Sequence, residues 1–404
     1  MALAAPASLR LANFRRLGAA TAFNSVGMMG ENVVLGWLTL TLTNSPFLVG
    51  VAMAARSLPL FFVGMPAGVL ADRFPRHRLL MLTGLGQGLA AAGVGLLVLF
   101  DRATLPAVLL LTLCAGVTRA LEHAARQSYT HEVVGPAELM SGLAVLGVIG
   151  RLGWLAGSLG AGAIIARYGI GVAYFMVAGG FVAGAVLLAG ASASGARTTS
   201  ASGSVWRGVV DFLVALRRDR SLLVLMILTG GAEMLGFAHQ TLLPSLARDV
   251  LRIGPEGLGV LNAARSAGGM VGLFAAVARR QAGGAGVLFL AVLLAFGGSL
   301  MALGAAPYVV GFAGVIVVLI VVNAAGGLTD LLAQSLMQLS VPANLRGRAG
   351  GAWVVAIGLA PLGQLQIGAL ASLLGVSMAL GLSGLALMAL AAITASVYPH
   401  LKRL

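Results

Sequence analysis

Long apolar runs separated by short polar segments follow one another along the whole chain. Each run holds roughly 20 residues, which at about 1.5 Å of rise per residue can cross a hydrocarbon layer roughly 30 Å thick. Helices of this length satisfy all their backbone hydrogen bonds within lipid. The pattern predicts twelve spanning helices, over residues 17–42, 47–71, 79–100, 107–128, 139–165, 170–194, 221–246, 256–278, 284–304, 307–336, 349–374 and 376–397.

An internal repeat relates the two halves of the chain. Residues 50–57 read GVAMAARS and residues 259–266 read GVLNAARS, so six of eight positions match. An even number of spans per copy keeps the copies parallel, with a substrate path expected between them. We therefore predict an all-α polytopic membrane protein built from two pseudo-symmetric six-helix bundles. The predicted domains are 1–194 for the first bundle, 195–220 for a cytoplasmic linker with an amphipathic helix over 205–218, and 221–404 for the second bundle.

Composition agrees with this architecture. The chain is 59% hydrophobic and 9% charged, whereas an ordinary soluble domain has about 25% charged residues. Its net charge is +14, and most of its 26 basic residues fall on the same side of the predicted spans as both termini. This positive-inside bias places both termini in the cytoplasm. Nucleic-acid binding is the weaker explanation of the charge, because the arginines are scattered among short loops without interleaved aromatic residues.

The loop between the second and third spans carries a specific motif. Residues 64–78 read GMPAGVLADRFPRHR, which resembles the signature loop of the major facilitator superfamily, with Pro75 in place of the usual glycine. Gly68 allows close helix contact, and Asp72 at a helix end can bind basic residues or a neighbouring helix N-terminus. Such contacts can hold the cytoplasmic side closed. The alternative is that Arg73, Arg76 and Arg78 only fix the topology.

Shorter segments extend the resemblance over nearly the whole chain. Residues 13–17, 36–38, 42–46, 125–127 and 338–348 together resemble the enterobactin-exporter and macrolide-efflux type of major facilitator. The resemblance implies a twelve-helix, alternating-access secondary transporter of the bacterial inner membrane. Most members of this type export drugs or siderophores in exchange for protons and need no cofactor. The motifs do not identify the substrate, so import of an organic anion or a lipid-like solute stays open as the alternative.

Ionisable side chains inside the predicted spans are the candidate functional groups. A charge at the bilayer centre costs about 2.5–3.5 kcal/mol on insertion scales, so each one is a functional candidate. The residues near mid-membrane are Glu31, Arg56, Arg119, Arg151, Glu233, His239 and Arg265.

Two carboxylate–arginine pairs are predicted from depth. Counting from the span ends places Glu31 and Arg56 at one level in the first half, and Glu233 and Arg265 at one level in the second. A buried carboxylate tends to keep its proton, and a nearby arginine opposes this. A substrate that engages the arginine would free the carboxylate for a proton. Glu31 and Glu233 are therefore the proton-coupling candidates, with Glu31 preferred, while static neutralisation or substrate contact alone are the alternatives.

Arginine exceeds acid in the first half of the chain. Arg56, Arg119 and Arg151 face one mid-membrane acid, Glu31, although Arg119 could instead pair with Glu122 one turn away. Guanidinium groups bind carboxylate and phosphate in bidentate fashion. A cavity with surplus arginine therefore favours an organic anion or a zwitterion over a purely cationic drug.

Other polar residues have a binding or a gating interpretation. His239 is a candidate proton relay, or an ordinary hydrogen-bonding side chain, and Gln364 is a candidate cavity contact. A gate at the cytoplasmic side is predicted from residues at the lower ends of the helices and in the signature loop, which could meet in one set of ion pairs. These residues are Gly68, Asp72, Arg73, Arg76, Glu122, Arg126 and Asp330, with Arg346 and Arg348 as further partners.

An enzyme is disfavoured by the sequence. Serine, histidine and carboxylate residues do not cluster, and no His/Cys group has the spacing of a metal site. A phosphate-binding loop of the GxxxxGK[ST] type is also missing, so ATP is not the predicted energy source. The predicted partners are a small-molecule substrate, protons and the lipid bilayer, and the protein is expected to act as a monomer.

Overall fold

The computed structural model describes residues 11–191, 220–278, 284–340 and 346–403, with the backbone alone at 64–73, 136–137, 140, 277–278, 346–351 and 402–403. The predicted amphipathic helix over 205–218, and all but the last residue of the predicted linker, lie outside this part of the chain. The described residues are almost entirely helical. The helices are α1 (Ala12–Thr43), α2 (Pro46–Arg73), α3 (Arg76–Leu99), α4 (Leu105–Gly135), α5 (Ser141–Tyr168), α6 (Ile170–Ala189), α7 (Arg220–Val250), α8 (Gly254–Ala278), α9 (Ala285–Val309), α10 (Gly311–Leu339), α11 (Arg346–Ile357 and Ala360–Leu374) and α12 (Val376–Val397).

Within the described ranges, ten helices are long and apolar enough to cross a membrane. The ten do not include α1 and α8. These two helices carry Glu31 and Arg265 among other polar residues, and such residues lower the mean hydropathy of a window. The prediction of a polytopic all-helical membrane protein is confirmed.

The connection between α4 and α5 differs from the prediction. The sequence pattern predicts a loop between spans ending at 128 and starting at 139, but the helix continues to Gly135 and resumes directly after it. Gly135 has a φ of 73°, a conformation that glycine adopts without steric penalty. One non-helical residue therefore separates the two helices where a loop was expected.

Helix α7 is irregular, where the sequence predicted a regular helix over 221–246. Ala232–Gly236 forms a π-helical turn, Phe237–Leu242 is a 3₁₀ segment, and Leu246–Val250 is a second π turn. These segments have a different number of residues per turn from an α-helix, so residues on either side of them no longer share the faces that regular spacing assigns.

Small residues bring helices into close contact where lipid offers no hydrophobic drive to association. A Cβ atom at Gly157 of α5 would overlap the carbonyl oxygen of Val26 on α1, and one at Gly153 would lie 2.7 Å from the carbonyl oxygen of Ala22. In the second half, Cβ atoms at Gly268 and Gly272 of α8 would overlap backbone carbonyl oxygens of α10. The backbones of these helix pairs therefore touch where the sequence provides glycine.

The chain divides into two compact units. The first holds Met1–Leu38 and Ala55–Ser202, and the second holds Thr39–Ala54 and Gly203–Leu404. The tip formed by the end of α1 and the start of α2 thus groups with the second unit, whereas the sequence placed it in the first bundle. In the second unit, a Cβ at Gly50 would overlap the carbonyl oxygen of Gln364, and Arg248 donates to the carbonyl of Leu40 at 2.8 Å.

Replacing Gly157 with alanine should destabilise the protein by about 1–3 kcal/mol, because the added methyl group overpacks the contact with α1. Gly179→Ala is the matched control, since a Cβ there meets nothing within 4 Å and the helix gains from losing a glycine. Thermal unfolding of the purified variants in detergent measures the difference. Equal transition temperatures for the two variants would contradict this packing.

Candidate functional site

A charged cavity of about 500 Å³ lies in the first unit, among α1, α2, α4 and α5. Helix α4 supplies most of its polar wall, from positions that recur at helical spacing, while α5 supplies glycines, aliphatic side chains and an indole. The residues that line it are Thr21, Ser25, Met28, Arg56, Ser57, Leu60, Gly116, Arg119, Glu122, His123, Arg126, Gln127, Thr130, Leu143, Leu146, Gly147, Gly150, Arg151 and Trp154.

Glu31 forms the charged centre beside this cavity. Its side chain is 6% exposed, and one carboxylate oxygen, Oε2, accepts hydrogen bonds from two arginines. Arg56 donates through Nε at 3.3 Å, and Arg119 donates through Nη2 in a short contact. Arg56 also donates through Nη2 to the carbonyl oxygen of Met28 at 3.0 Å. The predicted contact of Glu31 with Arg56 is confirmed.

Arg119 joins this cluster, and does not bind Glu122 as the alternative suggested. Nε and Nη1 of Arg119 are buried without a hydrogen-bond partner. Buried donors of this kind are rare in proteins, since each one loses its water without gaining a replacement. One carboxylate therefore serves two guanidinium groups, and the cluster carries a net positive charge with unused donors.

The corresponding pair in the second unit does not form. No ion pair within 4.0 Å joins Glu233 to Arg265; Arg265 donates instead to Oδ1 of Asn262, at 3.1 Å on its own helix. Glu233 lies in the first π turn of α7. Depth counting assumed a regular α-helix, and this turn breaks that assumption.

The predicted cytoplasmic gate residues are divided among separate contacts. Arg126 donates to Glu122 in a short contact and to Oδ1 of Asn24 at 3.0 Å. Arg76 binds Glu132 at 3.2 Å within the first unit. Glu132 lies within α4 because this helix continues to Gly135, whereas the predicted span ended at residue 128.

The rest of the predicted gate is described only in part. Asp330 accepts a hydrogen bond from Nε1 of Trp353 at 3.1 Å in the second unit. The other predicted members have side chains outside the described residues: Gly68, Asp72, Arg73, Arg346 and Arg348. Glu122 and Arg126 line the cavity itself, so they take part in the same polar wall as Arg119.

Arg151 lines the cavity next to an aromatic ring. Its guanidinium carbon lies 4.8 Å from the ring centroid of Trp154, one turn along α5. A guanidinium at this distance is attracted to the negative face of the indole. The arginine is therefore held against the cavity wall in a defined orientation.

His239 and Gln364 belong to the second unit. His239 is 1% exposed; its Nδ1 lies 2.7 Å from the carbonyl oxygen of Gly236, and its Nε2 lies 3.4 Å from Asn323. These contacts agree with the interpretation of His239 as an ordinary hydrogen-bonding side chain. Gln364 is buried in the second unit, with its backbone against Gly50. Their predicted cavity roles remain predictions.

Several cavity residues were missed by the sequence analysis. His123 and Gln127 lie on the same stripe of α4 as Arg119, and their side chains contact each other at 3.3 Å. Trp154 was missed although it stands three residues after Arg151. A helical-wheel projection centred on Arg119 and Arg151 would have found all three.

The cavity suits anions. Its lining carries four arginines and one glutamate, with Glu31 behind two of the arginines. Guanidinium groups bind carboxylates and phosphates through charge-assisted hydrogen bonds, which strengthen where water is excluded. Among the described residues, no group of three or more His, Cys, Asp or Glu could hold a metal ion.

In the described part of the chain, ten helices are long and apolar enough to cross a membrane, and an arginine-rich cavity lies among the helices of the first unit. These features define a polytopic membrane protein. The family model of the Major Facilitator Superfamily matches residues 17–363. The chain therefore belongs to this superfamily, and it is a membrane transporter and not an enzyme. The resemblance carried by residues 64–78 is confirmed.

Relatives of known name lie within the same superfamily. The enterobactin exporter EntS of Salmonella paratyphi A is 27% identical over 361 residues, covering 84% of this chain and 82% of that protein. The uncharacterized MFS-type transporter YfiS of Bacillus subtilis is 28% identical over 378 residues, covering 89% of this chain and 88% of that protein.

Solved structures share the fold at low identity. The nucleoside transporter NupG matches with a TM-score of 0.77 at 12% identity, covering 96% of this chain and 99% of that chain. The peptide transporter POT in complex with sulfate matches with a TM-score of 0.76 at 14% identity, covering 97% and 95%. These likenesses show the major facilitator fold.

Glu31→Gln should lower the free energy of unfolding by about 2 kcal/mol, because two guanidinium groups lose the carboxylate that neutralises them. Adding Arg119→Gln should restore part of this loss, since one arginine then remains where two repelled each other. Thermal unfolding of the single and double variants gives both values. Additive destabilisation by the two substitutions would contradict the shared-carboxylate arrangement.

Proposed function

We propose that the protein is a secondary active transporter that carries out proton-coupled export of a small amphipathic organic solute by alternating access. The solute is of drug or siderophore type, and anionic or zwitterionic. The sequence similarity to EntS, a protein named as an exporter, supports the direction of transport. The surplus of arginine at the cavity supports the charge of the solute.

The observation that carries this proposal is Glu31 between Arg56 and Arg119 at the wall of the cavity. In the resting state, the two guanidinium groups keep the carboxylate ionised. An acidic group of the solute competes for the same guanidinium donors, and the released Glu31 then takes up a proton. Departure of the solute lets the arginines bind Glu31 again and expel the proton. The cluster thus couples binding of the solute to protonation of Glu31.

The second unit has a supporting role in this scheme. Glu233 stays the second proton-coupling candidate, in an irregular stretch of α7 where the backbone can adjust. Arg265 is a candidate solute contact through its position on α8. Glu233 does not form an ion pair with Arg265 in the way that Glu31 does with Arg56. The two halves therefore do not contribute equally, and Glu31 is the main proton carrier.

The cytoplasmic gate is proposed to work through local ion pairs. Arg76 with Glu132 ties α3 to α4, and Glu122 with Arg126 closes on Asn24 of α1. Trp353 with Asp330 joins α11 to α10 in the second unit. Gly68, Asp72 and Arg73 in the signature loop complete the gate. These pairs would exchange partners as the transporter alternates.

We further propose that α1 and α8 also cross the membrane, which gives twelve spans in two six-helix bundles. Both are long enough to span at about 1.5 Å per residue, and their polar residues point to bundle interiors in an architecture of this kind. The positive-inside bias puts both termini in the cytoplasm. The protein acts as a monomer in a bacterial inner membrane.

Vesicles loaded with a pH-sensitive dye test proton coupling. Enterobactin is the first probe, because the Salmonella relative is named for it, followed by organic anions, zwitterions and cations of similar size. Glu31→Gln should reduce proton-coupled transport at least tenfold, since a neutral amide cannot exchange a proton at this site. Glu233→Gln should have a smaller effect.

Glu132→Gln is the matched control, because Glu132 is a buried carboxylate in an ion pair with an arginine away from the cavity. It should keep the same number of protons per solute even if the rate changes. Full coupling retained in both Glu31→Gln and Glu233→Gln would refute the proposed mechanism.

A further inference from the structure

Helix α5 presents a distinct surface to the cavity. Leu143, Gly147, Gly150, Arg151 and Trp154 all line the cavity, and their spacing puts them on one side of the helix. The polar wall on α4 lies across from them in the lining. This surface, which we name the α5 face, combines bare backbone with one guanidinium and one indole.

The glycines of the α5 face are not explained by helix packing. A Cβ at Gly147 would meet nothing within 4 Å, and one at Gly150 would meet only Oγ of Ser25, at 3.5 Å. Gly153 and Gly157, on the neighbouring side of the same helix, are pressed against the α1 backbone. Gly147 therefore keeps a space open within the cavity, since any larger side chain there would project into it.

The polar end of the α5 face consists of Arg151 and Trp154. The guanidinium of Arg151 lies over the indole of Trp154 at 4.8 Å. A guanidinium presents its N–H groups as a planar fork, from which a carboxylate can accept two hydrogen bonds. The indole offers a flat apolar surface beside this acid-binding edge.

We propose that the α5 face is a subsite for a planar aromatic ring that carries an acid group. The ring lies on the bare helix at Gly147 and Gly150, against Trp154, and the acid group binds the edge of Arg151. This inference rests on the proposed function, since it names the part of the solute that α5 recognises. Trp154 and Gly147 are then specificity-determining residues, while the Glu31 cluster exchanges the proton.

An aromatic ring fits this surface better than an aliphatic one. Aromatic pairs contribute about 0.5–1.5 kcal/mol beyond the area they bury, which corresponds to roughly twofold to tenfold in affinity. A flat ring can also lie closer to the helix backbone at the two glycines than a puckered saturated ring of the same size. The subsite should therefore distinguish two acids that differ only in the saturation of their rings.

The test measures the affinity of the purified full-length protein for 2-naphthoate and for decahydro-2-naphthoate, by calorimetry in lipid nanodiscs. We expect 2-naphthoate to bind about fivefold more tightly, and 2-naphthalenemethanol, which has the ring without the charge, to bind more weakly than either acid. Equal affinity for the two acids, or no binding of either one, would overturn the subsite.

Two substitutions locate the binding. After Trp154→Leu, the two acids should bind with about equal affinity, because the aromatic surface is lost. Both should still bind, because the acid-binding edge of Arg151 is retained. Gly147→Leu should weaken the binding of 2-naphthoate at least tenfold, because the leucine side chain fills the space in which the ring would lie. Gly179→Leu is the matched control for Gly147→Leu, because a Cβ at either glycine meets nothing within 4 Å, and Gly179 does not line the cavity.

The acid-binding edge has its own control. Arg151→Gln should weaken the binding of both acids at least tenfold, while Arg167→Gln should leave the affinity for each acid unchanged. Arg167 stacks on Tyr168 at 5.9 Å in a similar arrangement away from the cavity. Thermal unfolding of every variant confirms that it is folded. Unchanged binding after both Trp154→Leu and Gly147→Leu in folded protein would place the acids elsewhere.

Failure of this inference differs from failure of the proposed function. If the acids bind without ring preference and Glu31→Gln still abolishes proton coupling, the transport scheme stands and the α5 subsite is wrong. If coupling survives Glu31→Gln while Trp154→Leu removes the ring preference, the subsite stands and the coupling scheme is wrong.

Discussion

A charge in a low-dielectric environment must be neutralised nearby, and this constraint organises the first unit. Glu31 is nearly buried, and both arginines that reach it come from other helices, so α1, α2 and α4 are joined at one carboxylate oxygen. Two cations on one anion leave a positive excess. That excess can be relieved by an anion from the cavity, so the interaction that joins the helices also makes their junction sensitive to a solute.

In the two copies of the repeated octapeptide, the arginines at equivalent positions have different hydrogen-bond partners. Arg56 and Arg265 occupy equivalent places in the repeat, yet Arg56 reaches a carboxylate on another helix while Arg265 donates to Asn262 on its own. The residue four positions before Ser266 is asparagine, where the first copy has Met53. A side-chain amide one turn away offers the second arginine a local acceptor. Divergence at one position of the repeat therefore accompanies a different use of the arginine.

Sequence patterns predicted what depends on local chemistry and length. Apolar runs located the helices, and the loop over 64–78 identified the superfamily. Glu31 and Arg56 were matched by depth because α1 and α2 are regular helices. The same count failed for Glu233 because π and 3₁₀ segments in α7 leave no clear sequence signal. The partner of Arg119 depends on how helices rotate against each other, which spacing along one helix cannot give.

Helix α5 shows why glycine abundance has two separate physical causes in this protein. At Gly153 and Gly157 the missing side chain lets α1 approach, and any substitution there acts on the packing of the unit. At Gly147 the missing side chain faces open space, and a substitution acts on what the cavity can hold. The helical repeat separates the two sides by roughly a quarter turn. One rigid helix can thus be fixed to its neighbour and still present bare backbone to a solute, so selectivity can change at Gly147 without disturbing the contact at Gly157.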